Sequence, residues 1–269
     1  MSDTLALVTD MNEATYHARP ELSSTQARQI LDSPARFEYA RTHPQAPKKA
    51  FDLGSAVHSK VLGVGYGIEV LNFESWRSKD AQIARDETYA AGLIPMLPHE
   101  LGPVDEMSEA ILSHKTARQI FEQDGIAEAS VFATDPTTGV PLRARFDWFA
   151  PVCADLKTTA KDASKDTFAK TVASFGYDTQ RGHYLDTLRF ATGETRELVF
   201  VVVETNPPHL VAVHQLDRIF ADMGHLKARR AREIYAECTE SGVWPGYPDE
   251  VQLVIPPTWL VYQDAEKYE

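Results

Sequence analysis

Three strand-like runs, at about 127–133, 141–149 and 152–157, follow one another with only short turns between them, and they restrict the fold more than any other segment. The first turn, Asp135-Pro-Thr-Thr-Gly139, has the residue types that close a hairpin. The second, around Ala150-Pro151, is tight enough to bring Asp147 beside the third strand. Side chains alternate along a strand, so Asp155 and Lys157 share a face while Leu156 points into the core. Two carboxylates and an ammonium thus converge within apolar strand surroundings, where an unpaired charge is costly. A divalent cation compensates that cost, and hard oxygen ligands of this kind suit Mg²⁺.

The rest of the chain supplies the layers around such a sheet. Residues 21–42 read as helix, with capping residues at Ser23-Ser24-Thr25-Gln26 and a break at Pro34. A basic, proline-containing connection at 43–49 leads to a helix over 51–62, with Leu53, Val57 and Val61 on one face. Residues 70–100 read as helix and loop, and 103–124 as one amphipathic helix. After the three strands, helices are expected at 164–175 and 177–191. Glu197–Val203 then pairs with Leu210–Leu216 across an Asn206-Pro-Pro turn, before a long helix at 217–240 and an irregular tail. Helices, three meandering strands, a helical crossover and two further strands make an α/β fold with a central mixed β-sheet flanked by helices. We expect a single domain over 1–269, with a mainly helical part at 1–125, the core at 126–240 and the tail at 241–269.

Composition excludes several function classes. No apolar run approaches the roughly 20 residues that cross a bilayer. Met1–Leu7 lacks the basic start and apolar stretch of a signal peptide. Two distant cysteines, Cys153 and Cys238, give no disulfide framework and no zinc spacing. A cytoplasmic protein is expected. Gly63-Val-Gly-Tyr-Gly67 lacks the context of a phosphate-binding loop. A net charge of −12 opposes indiscriminate binding of nucleic acid, but leaves room for a local basic groove.

The run from Glu128-Ala-Ser-Val-Phe through Leu142-Arg-Ala-Arg-Phe-Asp147 to Ala154-Asp-Leu-Lys-Thr-Thr159 resembles the nuclease core of the RecE-type exonucleases, the exodeoxyribonuclease VIII group of the PD-(D/E)XK superfamily. Tyr16–Gln26 and Ser33–Phe37 are similar to the N-terminal part of that module. Phe146 stands where the family has a proline before the aspartate, a difference of backbone shape rather than of ligands. The four-cysteine iron–sulfur cluster of some relatives is excluded by the cysteine count.

The resemblance implies a Mg²⁺-dependent deoxyribonuclease, with Mn²⁺ as a substitute. The expected reaction is processive 5′→3′ digestion of double-stranded DNA ends, leaving single-stranded tails for a RecT-like annealing protein. A ring-shaped homo-oligomer and no membrane contact are also implied. Glu128, Asp147, Asp155 and Lys157 take the catalytic positions. Leu-Gly-Ser-Ala-Val-His58 is similar to the helix that donates a metal-binding histidine in RecB-like nucleases, and the Leu156 carbonyl completes the metal set. Gln180 and Tyr184 match their Gln-x-x-x-Tyr element, in which positions i and i+4 share a helix face. Arg143, Arg145, Lys161 and Arg181 are the expected DNA contacts. Asp135 reads as a turn residue, and Lys227–Arg232 as a solvated or salt-bridged helix surface. Two alternatives stay open: a RecB-like nuclease of other polarity or endonucleolytic action, and a catalytically silent adaptor that binds DNA ends.

Overall fold

The computed structural model describes residues 7–43 and 52–268; the connection expected at 43–49 lies, apart from His43, outside them. Strand β1 (Leu7–Val8) and helix α1 (Glu13–Ala18) precede α2 (Ser24–Asp32) and α3 (Pro34–Thr42). A capping box joins Ser23 and Gln26 at the start of α2. Ser33 both ends α2 and caps α3, and Pro34 occupies the first turn of α3, where its missing N–H costs nothing.

Helix α4 (Asp52–Leu62) follows, then β2 (Ile68–Val70), α5 (Lys79–Ala90), β3 (Ile94–Met96), α6 (Pro98–Ser113) and α7 (Lys115–Phe121). Strands β2 and β3 form a small parallel pair where the sequence suggested only helix and loop. The single helix expected over 103–124 is two. His114 adopts an extended backbone and its side chain accepts from Ala117 N at 3.2 Å, which ends α6 and caps α7.

The main sheet contains β4 (Ile126–Thr134), β5 (Pro141–Phe149), β6 (Val152–Thr159), β7 (Glu197–Glu204) and β8 (Val211–Gln215), in the order β1-β4-β5-β6-β7-β8. Every neighbouring pair is antiparallel except β6 and β7. Their parallel pairing needs a crossover, and α8 (Lys165–Phe175) with α9 (Tyr177–Thr192) provides it. The nearly continuous apolar run of β7 reflects burial on both faces, as a strand between layers requires.

One core forms between the sheet and α8–α9, around Phe146, Phe168, Leu188 and Phe200. A second lies on the opposite face around Val57, Met107, Leu156 and Val201. Helix α10 (Arg218–Ser241) crosses α9 at close range. A Cβ added at Gly224 would lie 2.1 Å from the Asp178 carbonyl oxygen, so only glycine permits this crossing. The tail expected to be irregular ends in α11 (Thr258–Tyr268), which buries no residue against the rest of the chain. No helix among the described residues is long and apolar enough to cross a membrane.

Candidate active site

The β4–β5 register places Glu128 opposite Asp147, between the pairs Ala127–Trp148 and Ala129–Phe146. Glu128 has φ of 54°, a left-handed conformation that is strained for a side chain of this kind within a strand. Its carboxylate is held by the Arg145 guanidinium, whose Nε donates to it. Tyr16 from α1 lies beneath both arginines of β5, its ring centre 5.0 Å from the Arg143 guanidinium carbon and 5.3 Å from that of Arg145.

Strand β6 supplies the next groups. Leu156 N donates to Asp147 Oδ2 at 2.7 Å, locking the two strands where their functional side chains meet. Asp155 is buried; Lys157 pairs with it from the same face, as strand alternation requires. Leu156 itself is fully buried in the second core, but its carbonyl oxygen lies 2.7 Å from His58 Nε2. The other imidazole nitrogen, Nδ1, is 3.5 Å from Asp147 Oδ2. Helix α4 can bring His58 this close because Gly54 faces β6: a Cβ there would lie 3.2 Å from Thr158 Oγ1.

From α9, Gln180 Nε2 donates to Asp155 Oδ2. The Gln180 side chain also bonds the Tyr184 hydroxyl, and the Tyr184 ring packs edge-on against Phe146 at 5.1 Å. Spacing of four residues puts Gln180 and Tyr184 on one side of the helix, as expected.

Ligand atoms of His58, Glu128 and Asp147 all lie within 4.8 Å of one another. Burial, then the neighbouring Asp155 and Glu128 charges, push the Asp147 carboxyl well above the carboxylate range. Burial also raises Glu128, although Arg145 opposes it. Burial and the Lys157 charge hold the His58 imidazole below its ordinary value, which keeps it neutral and able to ligate. Crowded, partly desolvated carboxylates beside a neutral imidazole and a backbone carbonyl are a donor set that fits a hard divalent cation. Desolvation works against the Lys157 ammonium, but Asp155 and Asp147 outweigh it and raise its pKa. Lys157 is therefore a cation at neutral pH, which suits orienting water and phosphate rather than removing a proton.

The structure thus brings together Glu128, Asp147, Asp155, Lys157, Gln180, Tyr184, His58 and the Leu156 carbonyl. Asp155 lies outside the closest triad, and its two oxygens are engaged by Gln180 and Lys157. Two of the expected DNA contacts are buried in the fold. Arg143 is buried and donates to the Tyr16, His17 and Arg19 carbonyls, so its guanidinium secures the end of α1. Arg181 is buried and pairs with Glu197 at 3.2 Å. Arg145 reaches Glu128 instead of open solvent, and Lys161 is exposed. Asp135 is structural: it receives Arg232 from α10.

Residues that the sequence did not single out also reach the site. The Glu13 charge acts on Glu128 and His58 from α1, and the Lys157 Nζ sits 4.9 Å from the Tyr177 ring centre. Neither carried a local signal: Glu13 reads as an ordinary first-turn acid, and Tyr177 as the start of a helix.

Residues 23–256 match the model of a family described as a PDDEXK-like domain of unknown function (DUF3799). Among solved structures, the chain is similar to a protein of Eubacterium rectale described as a "Putative exonuclease", with a TM-score of 0.61 and 13% identity over 96% of this chain and 99% of that one. At that identity the likeness is one of fold. No curated protein matches the sequence.

Proposed function

The chain belongs to the family of PDDEXK-like domains designated DUF3799, and from that premise we propose that it is a divalent-metal-dependent deoxyribonuclease acting on the ends of linear duplex DNA. The observation that carries this reading is the placing of His58, Glu128 and Asp147 ligand atoms within 4.8 Å of one another, beside the Lys157–Asp155 pair. His58, Glu128, Asp147, Asp155 and the Leu156 carbonyl are the proposed holders of Mg²⁺ or Mn²⁺. When bound, the ion supplies Lewis acidity toward phosphate and a more acidic water.

The chain's own groups do the rest. Lys157 directs its ammonium toward the attacking water and the charge that develops on phosphate. Gln180 fixes the Asp155 carboxylate, and Tyr184 supports Gln180. Arg145 holds Glu128 in its left-handed conformation facing Asp147. Lys161 is the remaining exposed candidate for a backbone phosphate. The 5′→3′ direction, processivity and a role in recombination beside a RecT-like annealing protein are supported by the resemblance to RecE-type exonucleases.

Self-association is part of the same proposal. Val251, Leu253, Val254, Ile255, Trp259 and Tyr262 are all exposed on the segment that follows α10, an apolar surface that nothing among the described residues covers. A second copy of the chain is its proposed cover.

The test is digestion of linear duplex DNA, 5′-phosphorylated on one strand, against a covalently closed circle, with Mg²⁺ or EDTA. Loss of the phosphorylated strand of the linear DNA alone, stopped by EDTA and by Lys157→Ala, is the expected result. Cutting of the circle would make the protein an endonuclease. No cleavage with binding intact would favour the silent end-binding adaptor.

A further inference from the structure

Phe175 ends helix α8 with its side chain 54% exposed, although it is a large aromatic beside the proposed site. A lone exposed aromatic is ordinary on a protein surface. This one is the outer member of a ladder. Its ring stacks on Tyr177 with centres 5.8 Å apart and planes 19° from parallel. Tyr177 in turn stacks on Phe200 at 5.8 Å and 20°. The same Tyr177 ring lies 4.9 Å from Lys157 Nζ, so a single aromatic step separates Phe175 from the ammonium of the site.

The backbone that carries the ring is also held in place. Gly176 takes the left-handed conformation, φ 66°, that turns the chain from α8 into α9. Arg28 of α2 donates to the Phe175 carbonyl and is itself braced on Thr25 Oγ1 at 3.0 Å. An exposed aromatic on a clamped backbone loses little entropy when something stacks on it. Exposed Lys161, Lys165 and Lys170 lie on the segment leading to Phe175 and provide positive charge for a phosphate backbone.

We propose that Phe175 is a stacking platform for an unpaired base of the DNA strand that enters the site. This rests on the nuclease reading above and adds a subsite to it. Every base has a π-face, so the subsite is tolerant of sequence but requires a base to be present. It holds the strand end while the phosphodiester lies at Asp147, Asp155 and Lys157.

The experiment uses the full chain with duplexes that carry a short single-stranded end containing 2-aminopurine, or an abasic analogue at the same position. Binding is read by fluorescence quenching and anisotropy in EDTA, and cleavage in Mg²⁺. Wild-type protein should bind the abasic end at least about fivefold more weakly than the base-bearing end. Phe175→Ala should bind both ends equally, at the abasic level, with KM raised and kcat unchanged. Phe175→Trp should restore the preference. If wild-type protein cleaves DNA but binds both ends alike, or Phe175→Ala matches wild type on the base-bearing end, the platform is overturned and the nuclease reading stands. If wild-type protein neither binds nor cleaves DNA, both fall. The abasic comparison needs no variant, so it decides the question even if a substitution disturbs folding.

Discussion

Gln180 Nε2 donates to Asp155 Oδ2, tying α9 to β6 across 25 residues of sequence. Gln180 thereby sets the direction of a carboxylate whose other oxygen faces Lys157. Gln180→Ala should leave Asp155 free to rotate and leave the Tyr184 hydroxyl without its partner. Removing an outer partner of this kind costs about 10- to 100-fold in metal affinity or activity. Cleavage rates against Mg²⁺ concentration, with circular dichroism to confirm the fold, check this expectation. A variant with wild-type rates would take Gln180 out of the site's support.

Asp147 lies among like charges, so its substitution has opposite effects with and without metal. Asp147→Asn removes a buried carboxyl whose ionisation burial, Asp155 and Glu128 all disfavour, and should raise the melting temperature in EDTA. Wild-type protein should gain about 2.7 kcal/mol when Mg²⁺ or Mn²⁺ reaches 100 times its Kd, and the variant should gain little. Thermal unfolding with EDTA and with a metal titration separates the two signs.

His183 is completely buried, and its Nε2 lies 3.0 Å from the Arg143 carbonyl oxygen. Burial depresses its pKa to about 4. Because the folded value is below the unfolded one, the unfolded chain binds more protons between pH 4 and about 6.5. The stabilisation is complete above the unfolded value and is lost as pH falls through that window. This group alone should remove about 2 kcal/mol of stability between pH 7 and pH 5. Urea unfolding at the two values measures it. His183→Gln keeps a donor for the carbonyl but does not titrate, so it should show a smaller difference.

Arg232 is buried in α10 between Asp135 of the β4–β5 turn, at 2.5 Å, and Asp186 of α9, at 3.0 Å. Arg232→Ala leaves the buried Asp135 carboxylate without its cation, takes one of two arginines from Asp186, which keeps Arg189, and should cost about 3–5 kcal/mol. Chemical denaturation reads the loss. Metal affinity of the folded fraction should not change, because this network is separate from the residues of the proposed metal site.

The segment from Val251 to Tyr262 should govern assembly. Ending the chain after Gly246 removes the exposed apolar residues but keeps Trp244, which packs against Phe37 and Tyr235. Light scattering should show a smaller species for the shortened chain than for the full one, with its melting temperature little changed. An equal number of chains per particle would mean that the segment does not join copies of the chain.

Legibility in the sequence followed the range of the interactions. Turn chemistry and strand alternation are local, so the meander β4–β6 and the shared face of Asp155 and Lys157 could be read directly, and Asp147 came with them through a tight hairpin. Proline chemistry marked the α2–α3 break at Pro34, and four-residue spacing put Gln180 and Tyr184 on one side of a helix. The split at His114 was not legible, because a histidine cap leaves the apolar period of α6 and α7 intact. Which arginines stay free was not legible either: Arg143, Arg145 and Arg181 look alike in sequence, and only packing turned them toward α1 carbonyls, Glu128 and Glu197. His58 meets the Leu156 carbonyl across 98 residues, and Gln180 meets Asp155 across 25. The sequence by itself determined the strands and the ligand types they carry, since these depend on neighbours along the chain. Tertiary structure decided which of those groups share one space, because the α4 and α9 crossings depend on Gly54 and Gly224 meeting surfaces supplied by distant segments.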